Sequence, residues 1–190
     1  MSSNKIEFVF QNKIHKILNP DPNETVLNFI RLNLKKTGTK EGCAEGGCGA
    51  CTIVLGELKN SKILYKSINS CITFVPALNG KQLILIENLM SESGKLHSVQ
   101  NAMVNFHGSQ CGFCTPGFVM SMFAMFKNNK IIDNELINDS LSGNLCRCTG
   151  YRPIIDAAQS LNNLSRYDHF DKDKFSIIKL LKKIKKKNIE

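Results

Sequence analysis

Eight cysteines carry most of the chemistry that this chain can offer, and they fall into two groups of four. The first group has the spacing C-x4-C-x2-C, with a fourth cysteine after nineteen further residues. The second group has a C-x2-C pair and, thirty-one residues later, a C-x-C pair. Regular spacing of this kind indicates metal binding or catalysis when the compartment is reducing. The two groups are Cys43, Cys48, Cys51 and Cys71, and Cys111, Cys114, Cys146 and Cys148.

The rest of the sequence favours a reducing compartment. Its first residues lack the apolar segment of a secretory signal. No stretch approaches the roughly 18–20 apolar residues that a membrane span needs, and the longest candidate, residues 118–126, has nine residues with a serine among them. We therefore expect a cytoplasmic protein without a membrane span, in which the cysteines serve as metal ligands.

The first cysteine group has the spacing of a plant-type 2Fe–2S ferredoxin loop. Four soft thiolates must converge on two adjacent irons, so the loop has to curl around the cluster. Glycines permit turns with positive φ and let backbone N–H groups approach the sulfurs. Zinc also accepts four thiolates, but its sites usually combine two C-x2-C pairs, which this group lacks. The glycines of the loop are Gly42, Gly46, Gly47 and Gly49.

The second cysteine group is more ambiguous on spacing alone. The Cys111–Cys114 pair fits a redox dithiol or half of a zinc site, whereas the C-x-C pair is less natural in an ordinary zinc knuckle. Both pairs precede predicted helix starts, at Pro116 and Pro153, where the helix dipole favours thiolates and an anionic cluster. The spacing therefore favours an iron–sulfur cluster here but leaves zinc open.

The elements that must position the first group are mainly strands. Apolar residues alternate with polar ones over residues 6–10, and residues 14–18 can return as a second strand. Residues 52–55 and 82–86 are further strand candidates. A short amphipathic helix is predicted over residues 26–34.

The elements around the second group are predicted to be helices. Residues 97–106, 133–141 and 153–164 have apolar residues at helical spacing. Residues 118–126 are apolar almost all round, which predicts a buried helix. Thr115-Pro116 predicts its start, with a capping hydroxyl followed by proline at the first helical position. Four helices of about three turns would make a small bundle.

The positive charge is concentrated in the last part of the sequence. The formal net charge is +9, but residues 172–190 hold eight lysines against two acidic residues and account for +6 of it. Apolar residues between 177 and 184 allow an amphipathic helix that docks a partner, although a linker or solvated tail is equally consistent. Aromatic interleaving and nucleic-acid motifs are missing, so we expect no nucleic acid partner.

Three motifs resemble the signatures of the molybdenum hydroxylases, the family of xanthine dehydrogenase, aldehyde oxidase and the carbon monoxide dehydrogenase small subunit. They are EGCAEGGCGACT at residues 41–52, GSQCGFCTPGFVMS at residues 108–121 and GNLCRCTGYRPI at residues 143–154. The resemblance covers about residues 4–165, with the motifs in family order. Residues 86–89 and 97–117 look most like the small subunit of the bacterial xanthine dehydrogenases.

The resemblance implies an α+β chain with two cluster-binding domains and largely removes zinc as an alternative. A β-grasp, plant-type ferredoxin-like domain would occupy residues 1–88, and an all-α four-helix-bundle 2Fe–2S domain residues 89–165. Residues 166–190 would be a basic tail or linker. One 2Fe–2S cluster would be bound by Cys43, Cys48, Cys51 and Cys71, and the other by Cys111, Cys114, Cys146 and Cys148.

The resemblance also implies an electron-transfer role and no catalytic residue in this chain. The helical-domain cluster would lie near a molybdopterin cofactor on a partner large subunit, where Gln110 would hydrogen-bond the pterin and Cys148 would be the nearest ligand. The other cluster would pass electrons to FAD, on a further subunit or domain, and then to NAD. A FAD-binding domain often follows this module in bacterial relatives. Since residues 172–190 leave no room for one, we expect FAD on a separate chain of a hetero-oligomer, or a truncated product.

The reaction implied for the assembled enzyme is hydroxylation of a purine, as in xanthine dehydrogenase. Three substrates are alternatives within the same family: an aldehyde, nicotinate and carbon monoxide. A zinc-stabilised binding module with a basic tail is a remote alternative of another class.

Overall fold

Five strands form one mixed sheet in the computed structural model, which describes residues 4–187. Their order is β2-β1-β5-β3-β4, with β1 parallel to β5 and the other neighbours antiparallel. Both hairpins turn through two residues with positive φ, Gln11-Asn12 and Asn60-Ser61, which matches the right-handed twist of the paired strands. The strands are β1 (Lys5–Phe10), β2 (Lys13–Leu18), β3 (Thr52–Lys59), β4 (Lys62–Asn69) and β5 (Gln82–Ile84).

Helices lie against both faces of this sheet, so the mixed α and β composition is confirmed. A short helix, α1, continues directly as a π-helical turn over Phe29–Asn33. The four helices predicted between residues 97 and 164 are present, although with slightly different bounds. The helices are α1 (Val26–Asn28), α2 (Ser98–Asn105), α3 (Thr115–Asn128), α4 (Asn134–Leu141), α5 (Arg152–Ser160) and α6 (His169–Lys187).

The start of α3 differs from the prediction. Cys114 occupies the N-cap position, and Thr115 is the first helical residue. The backbone of Cys114 is already helical, with φ −81° and ψ −17°, whereas a capping hydroxyl needs an extended residue at that position. The Thr115 hydroxyl instead donates to Ser109 Oγ (2.8 Å), which ties the helix start to the loop before Cys111.

The sheet buries both of its faces. On one face, Phe8 and Phe10 pack with Phe29 and Ile30 of the first helical segment. On the other face, Val54, Tyr65 and Ile84 join the core formed by the buried side chains of α3. The strands around the first cysteine group therefore share a continuous core with the helices around the second. Residues 118–126 are apolar almost all round because α3 packs against the sheet on one side and against the neighbouring helices on the other.

The segment predicted as a basic tail or linker differs in the structure. Residues 169–187 form α6, and its apolar stripe, Ile177, Leu181 and Ile184, is buried against Val9 of β1. The amphipathic pattern thus serves this chain's own sheet, while most lysines of α6 remain exposed. Residues 188–190 lie outside the described part of the chain.

An ion-pair cluster holds the beginning of α6. Lys127 Nζ lies 3.0 Å from Asp168 Oδ2 and 2.6 Å from Asp171 Oδ2, and His97 Nε2 lies 2.8 Å from Asp168 Oδ2. The cluster, defined here as His97, Lys127, Asp168 and Asp171, joins the start of α2, the end of α3 and the start of α6. Within residues 4–187, no helix combines the length and apolar character that a bilayer crossing requires.

Candidate metal centres

The first cysteine group lies in the loop before β3 and at the end of β4, and two of its four glycines have the predicted positive φ. Gly46 has φ +80° and Gly49 has φ +70°. A Cβ on Gly49 would lie 2.3 Å from the carbonyl oxygen of Gly143, so a larger residue has no room there. Gly42 serves a different purpose, since a Cβ at this position would lie 2.7 Å from Cys48 Sγ.

Backbone N–H groups of the loop point at the sulfurs of the first site. The Gly47 N–H donates to Cys43 Sγ (3.2 Å), and the Cys43 N–H donates to Cys48 Sγ (3.4 Å). The N–H of Glu45 contributes most to lowering the pKa of the Cys43 thiol, to about 7. At Cys71, burial raises the pKa to about 12.

The sulfurs of the second site also lie together. Cys148 Sγ is 3.6 Å from Cys111 Sγ and 3.8 Å from Cys146 Sγ. Burial alone would raise the pKa of Cys146, but hydrogen bonds from Thr149 and other neighbours lower it to about 7. Burial raises the pKa of Cys114 to about 12. Because these neighbouring thiols differ so much in acidity, a bound metal is what would hold all four as thiolates.

The two sites share a two-plus-two layout. In each, two cysteines are buried and two are more accessible. Two thiolates on one tetrahedral ion lie about 3.8 Å apart, since each metal–sulfur bond is about 2.3 Å. The Cys51–Cys71 Sγ distance is 3.3 Å and the Cys111–Cys148 Sγ distance is 3.6 Å, both slightly shorter than this value. Although no trio of His, Cys, Asp or Glu in residues 4–187 is preformed around a single ion, the thiols fit a pair of adjacent irons. The buried pairs are Cys51–Cys71 and Cys114–Cys146, and the more accessible pairs are Cys43–Cys48 and Cys111–Cys148.

Residues that no ligand spacing reveals complete the second site. The Cys146 N–H donates to the Tyr151 hydroxyl (2.9 Å), and the Thr149 hydroxyl lies 3.0 Å from Cys146 Sγ. Asn144 is buried just before the site and bonds to the first loop. All three residues lie within the third motif, residues 143–154, so the motif is the feature of the sequence that could have pointed to them. Gln110 is exposed beside Cys111, at the accessible side of this site with Cys148.

Two family models match the chain in the order of the two sites. The 2Fe-2S iron-sulfur cluster binding domain matches residues 9–76, and the 2Fe-2S binding domain matches residues 85–159. The xanthine dehydrogenase of Blastobotrys adeninivorans is 48% identical over 163 residues, which are 84% of this chain. Aldehyde oxidase 1 of Oryctolagus cuniculus is 46% identical over 72% of this chain. The chain belongs to the 2Fe–2S module of the molybdenum hydroxylase family.

The relatives in this family are much longer than this chain, which corresponds to only a part of each. The chain spans 12% of the length of the first of these relatives and 10% of the second. The two family models show that this part contains two 2Fe–2S binding domains, one around each cysteine group.

Solved structures share the fold of this 2Fe–2S module. A chain of quinoline 2-oxidoreductase from Pseudomonas putida 86 superposes with a TM-score of 0.68 and 26% identity, and the match covers 96% of this chain and 98% of that chain. Aldehyde oxidoreductase from Desulfovibrio gigas superposes with a TM-score of 0.71 and 31% identity. That match covers 87% of this chain and 18% of the other.

Proposed function

We propose that this chain is the electron-transfer iron–sulfur component of a xanthine dehydrogenase-like molybdenum hydroxylase. The observation that carries the proposal is the presence of two four-thiol sites whose loops touch each other. The Leu145 N–H donates to the Cys48 carbonyl oxygen (2.9 Å), so a residue adjoining a ligand of one site bonds to a ligand of the other. Carriers this close together suit the transfer of single electrons between them.

The eight cysteines would hold two 2Fe–2S clusters in the grouping given above. When bound, each cluster supplies a one-electron carrier, and its potential depends on hydrogen bonds and solvent exposure. The protein would bring the four thiolates of each site together and direct N–H and O–H groups at them. It would also keep water away from the buried pairs. The β-grasp fold over residues 1–88 and the four-helix bundle over residues 89–165 are part of this proposal.

The accessible side of the second site is the proposed contact with molybdopterin on a partner subunit. Gln110 and Cys148 are both exposed, and Cys148 Sγ lies 3.6 Å from Cys111 Sγ. The Gln110 amide can both donate and accept hydrogen bonds at a pterin edge. The first site would then pass electrons to FAD on a further subunit or domain, and the assembly would be a hetero-oligomer.

The proposed reaction of the assembly is oxidative hydroxylation of a purine. The name of the 48%-identical relative, xanthine dehydrogenase, supports this substrate. The second candidate is an aldehyde, which the names of the 46%-identical aldehyde oxidase and of the superposed aldehyde oxidoreductase support. Nicotinate and carbon monoxide remain further alternatives. In each case this chain alone would not turn over substrate.

Purification from the native host, with identification of associated subunits and flavin, tests the assembly. We expect about four irons and four acid-labile sulfides in each copy of this chain, by the ligand count of two clusters. We also expect a molybdopterin-binding subunit to accompany it, and activity on a purine. A colourless protein that holds two zinc ions after anaerobic purification would instead support the zinc-binding alternative.

Substitution of one ligand tests the grouping of the thiols. In Cys114→Ser, a ligand of the second site is lost, so one of two distinguishable paramagnetic signals should disappear while the other remains. Cys71→Ser is the matched control, because the same change in the first site should remove the other signal. If Cys114→Ser leaves both signals unchanged, the grouping is wrong.

A further inference from the structure

The two cysteine sites are joined by the buried side chain of Asn144. Its Nδ2 donates to the carbonyl oxygen of Gly49 (3.0 Å) and to Thr52 Oγ1 (3.3 Å). Its Oδ1 accepts from Ser121 Oγ (2.6 Å). The residue is only 5% exposed, so its polar atoms depend on these partners rather than on water.

Each partner of Asn144 belongs to a segment that carries cluster ligands. Gly49 lies between Cys48 and Cys51, and Ser121 lies two turns into α3, the helix that follows Cys114. Asn144 itself lies two residues before Cys146. One amide, placed in the turn before Cys146, therefore bonds to the ligand loop of the first site and to the helix of the second.

The backbone around Asn144 leaves little freedom for these segments to move apart. The Leu145 N–H donates to the Cys48 carbonyl (2.9 Å), so residues 144 and 145 hold the neighbouring carbonyls of residues 49 and 48. The loop also approaches α3 closely, since a Cβ on Gly117 would lie 2.2 Å from the Gly49 carbonyl oxygen. A buried amide that lost its partners would cost free energy, and this cost opposes separation of the segments.

We propose that Asn144 is a positioning residue that fixes the separation of the two cluster sites. The inference rests on the proposed function, because it requires a cluster in each site. It goes further by assigning to a side chain that is not a ligand a share in the spacing of the carriers, beside the backbone bond from Leu145 to Cys48. Removing that side chain should alter the distance between the clusters while leaving all eight thiols in place.

A magnetic measurement on the full chain with both clusters loaded tests this role. When both clusters are reduced, their unpaired spins interact, and the dipolar part of the interaction falls with the inverse cube of their separation. In Asn144→Ala we expect about four irons and both signals to be retained, with a loss of the spin–spin splitting. Ser121→Ala removes only the bond that orients the amide, so its loss should be smaller. This milder variant can still be measured if Asn144→Ala fails to bind both clusters.

Asn128 provides a matched control. Its side chain also joins α3 to the sheet through two hydrogen bonds, from the Tyr65 N–H (3.1 Å) and to the Tyr65 carbonyl (2.6 Å). It lies at the far end of α3 from Cys114, about 20 Å along the helix axis. Asn128→Ala should therefore weaken the packing of helix on sheet but leave the splitting as in the wild type.

Three outcomes would overturn the positioning role. They are an unchanged splitting in both Asn144→Ala and Ser121→Ala, an equal loss in Asn128→Ala, and a doubly reduced wild-type spectrum that is merely the sum of two independent signals. Failure of the proposed function is separately visible, because a wild-type chain with fewer than two clusters shows it before any variant is made.

Discussion

At the scale of single residues, the hydrogen bonds to sulfur are the features that tune the sites. Each donor directed at a thiolate stabilises negative charge, and a reduced cluster carries more negative charge than an oxidised one. Both sites receive backbone donors, among them Gly47 in the first and Thr149 in the second, and the second also receives a side-chain donor, the hydroxyl of Thr149. The two sites therefore differ in how readily a substitution can alter their electrostatics.

Thr149→Val is predicted to lower the reduction potential of the second cluster. Valine keeps the shape of threonine but removes the O–H that lies 3.0 Å from Cys146 Sγ. We expect a shift of up to about 60 mV, which corresponds to about 1.4 kcal/mol for one electron. A redox titration followed by electron paramagnetic resonance measures both clusters in one sample.

Thr149→Ser is the control for this prediction, because serine retains the hydroxyl and should retain the potential. The potential of the first cluster should not change in either variant. An unchanged second potential in Thr149→Val would show that this hydroxyl does not tune the site.

At the scale of elements, α6 is held at two places. Its apolar stripe lies on β1, and its start is fixed by the ion-pair cluster of His97, Lys127, Asp168 and Asp171. Burial alone would raise the pKa of Asp168, but its hydrogen bonds and charge interactions with His97 and Lys127 hold that pKa well below its usual value of 3.8. The ionised carboxylate is therefore a stabilising part of the folded chain.

Asp168→Asn is predicted to destabilise the chain in a pH-dependent way. Because the pKa of Asp168 is lower in the folded chain than in the unfolded one, its contribution is fully present above the usual carboxyl pKa. That contribution is lost as the pH falls through the folded pKa. We expect a loss of about 1–3 kcal/mol at pH 7 that shrinks progressively below about pH 4.

Chemical denaturation at several pH values measures this difference in the free energy of unfolding. Asp173→Asn is the control, because Asp173 also lies in α6 but its carboxylate accepts an exposed hydrogen bond from Asn12, so its loss should be small at every pH. A loss in Asp168→Asn that stayed constant down to pH 3 would contradict the assignment to the ionised carboxylate.

The sequence pattern predicted most of these elements because they depend on local spacing. It missed β4, since lysines and asparagine interrupt the apolar alternation of Lys62–Asn69. It also left the destination of α6 open, because an amphipathic stripe does not reveal which surface covers it. At the sites, ligand spacing alone indicated the cysteines, whereas the Asn144–Gly49 bond joins residues 95 positions apart and has no local signature.

At the scale of the whole molecule, the sheet and the helices are mutually dependent. Val54, Tyr65 and Ile84 of the sheet are buried in the same core as Phe118, Phe123 and the rest of α3. The cysteine loops are joined by hydrogen bonds at a second place. A boundary near residue 88 would therefore leave the core between the sheet and the first helical segment intact but would divide the core that the sheet shares with α3.

A fragment of residues 1–88 is predicted to expose the face of its sheet that α3 covers in the whole chain. Without α3, the strand residues Val54 and Ile84 would be exposed to water, at a cost of about 1.5–3 kcal/mol for each large apolar side chain. We expect strong binding of a dye that detects exposed apolar surface. A fragment of residues 1–165 keeps α3 and should bind much less dye. Equal, weak dye binding by both fragments would contradict the shared core.

The two hydrogen bonds that Asn128 makes to β4 also occupy part of an open sheet edge. Strand β4 ends the sheet, so on its outer side the backbone groups are available for pairing with a foreign strand. The Asn128 amide occupies both the N–H and the carbonyl of Tyr65 on that side. A strand that approached to extend the sheet would have to displace these two bonds and the end of α3 with them. The Asn128 side chain thus blocks strand pairing at this point of the sheet edge.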